Sequence, residues 1–206
     1  MQILNKYTGK PIMEYTGELR DIDLSGKDLS YADLSCYNLR GADFTDSILN
    51  YADLSDTNLR NTTFRDASLH GTYSVRADFT QSDLTGSNLS GSNLARAIFH
   101  NAKMKCCNLS NTNFTCAKLS NTDISKAILW NCRGDGSKIK TLLISNAYPI
   151  SYTKDRLQIG CENHKIEDWW SFDHERIDAM DEADATNFWK DNKSILQMII
   201  SNSPAE

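Results

Sequence analysis

Carboxylates, thiols and imidazoles are the groups with which this 206-residue chain could do chemistry. Asp23, Asp28, Asp33, Asp43 and Asp53 recur at multiples of five. Paired carboxylates do acid–base work only where their surroundings drive their pKa values apart. Aspartates repeated at one outward position of a regular convex surface share the same wet surroundings, so they read as a solvated face. The four histidines, at 70, 100, 164 and 174, form no HExxH pair. Cys161-Glu-Asn-His164 sets a thiol three residues from an imidazole, which could make a nucleophile or ligand pair; a structural role in a capping unit is the simpler reading. Six cysteines (36, 106, 107, 116, 132 and 161) carry no CxxC spacing, which argues against zinc and for a reduced, cytosolic compartment. Gly134-Asp-Gly-Ser-Lys138 lacks the spacing of a phosphate-cradling loop. No catalytic residue, cofactor or metal is expected.

The elements that hold these groups follow a five-residue beat. Of the 22 positions from Leu24 to Leu129 in steps of five, 21 are Leu, Phe, Met or Ile, and only Ser74 breaks the series. Two residues earlier stands Ala, Ser, Thr or Cys in 19 of 22 cases, the exceptions being Ile22, Lys27 and Tyr37. Five matches neither a 3.6-residue helix nor a two-residue alternation. It fits a short extended piece and a corner: in Ala32-Asp33-Leu34-Ser35-Cys36, residues 32 and 34 face inward, Asp33 outward, and the last two turn the chain. Unusual residues recur at 20, as in Arg20/Arg40/Arg60, Tyr31/Tyr51, Phe44/Phe64 and Phe79/Phe99, which supports four sides per coil. Stacking then supplies a core that no single unit could bury. Ser74, lacking an apolar plug, predicts weaker packing or a bulge between Leu69 and Phe79, and Tyr37, large for its slot, predicts a distorted coil.

The copies ADLSC (32–36), GADFTD (41–46), ADLSD (52–56), ADFTQ (77–81), SNLSG (87–91) and TNFTC (112–116) resemble the A(D/N)LXX motif of the pentapeptide-repeat family over about residues 22–131. The resemblance implies a mainly β fold, a right-handed quadrilateral β-solenoid with 20 residues per coil. About 5.5 coils at ~4.8 Å make a rod of roughly 25 Å.

Residues 1–16 read as two strands, about 2–7 and 11–15, whose hairpin would cover the first coil and its open backbone edge. The solenoid spans 17–132. Residues 133–206 read as a small α+β capping and interaction unit, with strands at 139–144, 150–152 and 157–160. Helical structure is expected from Glu162 onward, with Asp173 capping a helix at 174–182 and a second helix at 184–201. The tryptophans of this tail, with Trp130, are expected to pack in part on the last coil. The string IGCENHKIEDWW resembles tails of uncharacterised phage and prophage members of the family. The N-terminus shows no apolar signal region and no run of 18 apolar residues occurs, so a cytoplasmic protein without membrane contact is expected.

Candidate partner contacts are the aromatic pair Tyr31 and Tyr51, the corner ladder Arg20, Arg40 and Arg60, and Trp169 and Trp170 of the tail. The leading expectation is a non-catalytic module that engages or inhibits a macromolecular protein partner, a phage counter-defence role being one version. A homodimer through the C-terminal unit is a further expectation. The family resemblance also implies a DNA-mimic modulator of gyrase or topoisomerase. A duplex-like rod of this length would need on the order of 15 net negative charges, whereas residues 17–131 hold 13 acidic against 11 basic residues. Direct nucleic-acid binding is disfavoured by the net charge of −5. A small enzyme or ligand-binding unit in residues 133–206 is the third class.

Overall fold

The computed structural model describes residues 2–135, 138–142, 150–159, 162–180 and 185–205. Every fifth residue from Asp21 to Asn131 has a positive φ. Only five of these are glycines, and Asp and Asn, whose short polar side chains tolerate the left-handed region best, lead the remainder. Each such corner follows a short extended piece. Parallel bridges join residues 20 apart, from Asp23↔Asp43 to Asn113↔Arg133, so each coil has four five-residue sides. The ladder runs both ways: the Leu54 N–H donates to the Tyr73 carbonyl (2.6 Å) and the Asp53 N–H to the Ala32 carbonyl (2.8 Å).

The preference for Asp or Asn at the outward position has a local cause. Asp23 Oδ1 accepts from the Ser25 N–H at 2.9 Å, and Asp53 Oδ1 from the Ser55 N–H at 2.9 Å. Such side-chain turns bend the backbone into the corner. Inside, Leu, Phe and Met plugs are wholly buried, with Phe44 stacked on Phe64 at 4.6 Å and Phe79 on Phe99 at 4.8 Å. Hydroxyls in the small-residue slot stay satisfied, as where Thr57 Oγ1 donates to the Leu34 carbonyl at 2.7 Å.

The bulge at Ser74 and the distorted coil at Tyr37 are not found. Ser74 sits in regular repeat geometry, fully buried, its N–H on the Asn93 carbonyl at 2.9 Å, with Tyr73 pointing out. Its coil carries two phenyl plugs, Phe64 and Phe79, whose ring centres lie 5.9 Å apart. Tyr37 leaves its coil intact, because it lies half-buried in the first coil, beside Gly17, Glu18 and Leu19 rather than under a further stacked coil.

At the N-terminus β1 (Gln2–Asn5) and β2 (Pro11–Glu14) form an antiparallel pair turning at Gly9, and β1 pairs with β3 (Ala32–Asp33) of the first coil. After the coils, β4 (Lys140–Leu142), β5 (Ile150–Tyr152), β6 (Arg156–Ile159) and β7 (Glu162–Lys165) make one antiparallel sheet in that order. Residues 162–165 are therefore strand where a helix was expected, because they pair with β6 from Arg156↔Lys165 to Ile159↔Glu162. The helices are α1 (Ile166–Ser171), α2 (His174–Asp178) and α3 (Ala185–Asn202), and Asp173 Oδ1 caps α2 by accepting from the Arg176 N–H at 2.9 Å. Among the described residues no helix is long and apolar enough to cross a membrane.

The tail meets the last coil mainly through polar groups. Gln158 Oε1 accepts from the Leu129 N–H (2.7 Å), Asn163 Nδ2 donates to the Ala127 carbonyl (3.0 Å), and Ile139 joins the coil core. The tryptophans do not pack on that coil as expected. Trp169 and Trp189 are buried in a second core with Leu157, Ile159, Ile177 and Leu196, while Trp130 stays exposed.

Candidate functional site

One corner of the coils carries a continuous aromatic ladder. Tyr31 and Tyr51 stand at equivalent corners of successive coils and stack at 5.4 Å with 12° between their planes. Tyr7, from the N-terminal turn, leans on Tyr31 at 5.8 Å, and His70 meets Tyr51 edge-on at 5.2 Å. His70 fixes the lower end: Nε2 lies 3.1 Å from the Tyr51 hydroxyl and Nδ1 2.9 Å from Ser90 Oγ. Asn50 Oδ1 braces it by accepting from the His70 N–H (3.1 Å) and from Ser68 Oγ (2.7 Å). Gly71 leaves room for the Tyr51 ring, since a Cβ there would stand 2.6 Å from it. Lys6 Nζ lies 4.4 Å from the centre of the Tyr73 ring and 5.1 Å from that of Tyr7. Stacked rings held by hydrogen bonds are pre-ordered, so little side-chain entropy is lost when a partner covers them.

The remaining candidate residues fare differently. Arg20 and Arg40 are exposed, but Arg60 is committed to Asp78 at 3.1 Å. Arg65 pairs with Asp83 (2.8 Å) and Arg76 with Asp56 (2.5 Å), in columns other than that of Arg20, Arg40 and Arg60, which continues with Thr80. Burial raises the Asp83 pKa, but the Thr85 hydroxyl and Arg65 outweigh it and hold the carboxyl at about 2. Trp169 cannot meet a partner: it is buried and its Nε1 donates to the Leu157 carbonyl at 2.6 Å. Trp170 is half-buried, stacked on Trp189 at 5.8 Å.

Nothing in the tail assembles a reactive centre among the described residues. Cys161 lies outside them. His164 pairs with Glu162 Oε2 at 2.7 Å and packs edge-on against Trp169 and Phe172, a structural setting. Burial pushes the Cys107 thiol up to about 12 and that of Cys132 up to about 11, which keeps both unreactive. No group of His, Cys, Asp or Glu with metal-binding geometry occurs among the described residues. A cleft of about 780 Å³ opens between the last coil and the tail, lined by Asp123, Ile124, Arg156, Ile166 and Ile200 among others. Its Arg156 is engaged with Asn163 at 2.8 and 2.6 Å.

Sequence reasoning found Tyr31 and Tyr51 through their 20-residue spacing. It missed Tyr7, Lys6, His70, Gly71 and Tyr73. His70 stands one position before the corner that continues the tyrosine column, which was the available signal; Tyr7 and Lys6 lie outside the repeat and gave none.

The family model described as pentapeptide repeats matches residues 18–46, 38–73, 75–107 and 99–131, together more than half of the chain. Among solved structures, the chain is similar to the pentapeptide-repeat protein Rfr23 of the cyanobacterium Cyanothece 51142 (18% identity over 57% of this chain and 88% of that one, TM-score 0.37). It is also similar to a pentapeptide-repeat protein of the Arabidopsis thaliana thylakoid lumen (29% identity, 52% and 65% covered, TM-score 0.24). A third is a trypsin-treated form of QnrB1, a plasmid-mediated fluoroquinolone resistance protein (18% identity, 52% and 68% covered, TM-score 0.26). No curated protein sequence matches the chain.

Proposed function

This chain belongs to the pentapeptide-repeat family, and from that premise we propose a non-catalytic protein-binding module that docks a partner on its aromatic corner. We read residues 17–132 as the right-handed solenoid, 1–16 and 133–206 as its caps, and the cytoplasm as its compartment. The observation that carries the reading is the braced ladder Tyr7–Tyr31–Tyr51–His70, with Tyr73 and Lys6 beside it. Exposed tyrosines offer broad amphipathic contact area with few torsions to freeze. A partner surface bearing flat apolar or arginine side chains suits it, since arginine also stacks on tyrosine faces. Inhibition of a host macromolecule by a phage-borne copy is one setting for such a module. The DNA-mimic alternative is weakened because Asp56, Asp78 and Asp83 are neutralised by arginines of the same rod rather than presented as a charged array.

The test is capture on the immobilised full chain, with the retained protein identified by mass spectrometry and its affinity measured. The Tyr31→Ala/Tyr51→Ala double variant, with an unchanged circular dichroism spectrum, should bind it at least about tenfold more weakly. Equal affinity would move the docking surface away from this corner.

A further inference from the structure

Six side chains of the coiled segment are large, apolar and exposed: Tyr31, Ile48, Tyr51, Tyr73, Ile128 and Trp130. All six lie on one corner or on the two sides that meet there, as the 20-residue stacking places them. They fall into two groups. Ile48 and Ile128 occupy the same column four coils apart, a rise of about 19 Å. The same interval of 80 residues separates Asp46 from Lys126, at the other corner of that side. Between the groups the surface is built of small residues, Ser68, Asn88, Ser90, Gly91, Asn108 and Ser110, which leave nothing protruding.

Charge follows the same polarity. Residues 17–75 hold ten acidic and five basic side chains, and residues 76–140 hold four acidic and nine basic. The first half is thus −5 and the second +5, and two such rods attract when they lie side by side in opposite directions.

We propose that a second copy of this chain docks, antiparallel, on the side that runs from the Asp46 and Lys126 corner to the tyrosine corner, about a two-fold axis at the level of Asn88 and Ser90. The proposal rests on reading the corner as a docking surface, and it names the occupant. That axis sets Ile48 of one copy on Ile128 of the other and Asp46 on Lys126, with Tyr51 beside Trp130. Each contact is made twice, as a self-complementary interface requires. Neither Asp46 nor Lys126 is spent in an ion pair inside the molecule, among the described residues. A contact about five coils long and little more than one side wide buries far less than the ~1,200 Å² of a stable interface. The dimer is therefore weak, concentration-dependent and strengthened at low salt.

Sedimentation velocity on the full chain, from low micromolar to near-millimolar at low and high salt, tests this. The wild type should pass from monomer to dimer, with the midpoint shifting to higher concentration in salt. Asp46→Lys and Lys126→Glu should each weaken the dimer at least about tenfold, because each sets like charges opposite one another. An equimolar mixture of the two variants should recover it, since every pair is then again of opposite sign. Ile128→Ser, an exposed position that the fold does not need, should weaken it as well.

A chain that stays monomeric at every concentration overturns the proposal. So does a dimer indifferent to both charge variants, and a dimer lost instead with the exposed α3 residues Ile195 and Met198 would place self-association on the tail. These outcomes are separate from the fate of the module reading. A monomeric chain whose captured partner is lost with Tyr31→Ala/Tyr51→Ala keeps the module and loses the second copy. A charge-sensitive dimer whose captured partner ignores those tyrosines does the reverse.

Discussion

Phe79→Ala puts the stacked core to its most direct test. The ring is wholly buried, between Phe64 at 5.9 Å and Phe99 at 4.8 Å, in a coil where Ser74 already supplies no apolar plug. Removing a buried phenyl costs about 3–5 kcal/mol, and the upper end applies where the site cannot collapse. Collapse is poor here, because each flanking coil is held by backbone ladder bonds such as Phe79 N–H to the Ile98 carbonyl (2.7 Å). Two aromatic contacts of ~0.5–1.5 kcal/mol each are lost with it. We therefore expect about 4–5 kcal/mol, a fall in Tm of about 10 °C or more at this chain length. Far-UV circular dichroism during urea unfolding reports the coils, while fluorescence reports the C-terminal part, since all four tryptophans lie at 130 or beyond. Tyr73→Ala, pointing out of the same coil, is the control and should cost under about 0.5 kcal/mol. A Phe79→Ala cost below about 1 kcal/mol, or an equal cost for Tyr73→Ala, would refute the inward and outward assignment.

Gln158→Ala should cost about 1–3 kcal/mol, because it strips the buried Leu129 N–H of its acceptor; unchanged thermal unfolding would show that the tail does not close the last coil. Asp83, held at about 2 against an ordinary 3.8, contributes stability that is complete above pH 3.8 and disappears as pH falls through about 2. Asp83→Asn should flatten that part of an acid-unfolding curve by roughly 2 kcal/mol, and an identical curve for the variant would contradict the assignment. Cys36, Cys106 and Cys116 are exposed, whereas Cys107 and Cys132 are buried with raised pKa values. Peptide mapping after native alkylation should find the first three modified and the other two protected until unfolding.

The five-residue beat determined the coil, because its period is local: an extended pair, an Asx turn and a left-handed corner are built within five residues, and stacking merely repeats them. It therefore announced the inward plugs, the outward aspartates and the Tyr31/Tyr51 register. Its readings of a bulge at Ser74 and a distorted coil at Tyr37 failed. The ladder bonds of Ser74 hold it in register without an apolar plug, and a bulky residue in the first coil meets no further coil stacked on it. In the tail no repeat constrains the chain, and pairing with β6 overrode the helical reading of Glu162–Lys165. Burial of Trp169 was likewise a matter of which surfaces met. The extent of the aromatic corner belonged to tertiary structure too. Tyr7 and Lys6 reach it only because β1 pairs with the first coil, and His70 joins Tyr51 only because coils stack. Long-range contacts between residues of unrelated spacing leave no periodic trace in a sequence, and those contacts assembled the surface on which function is proposed.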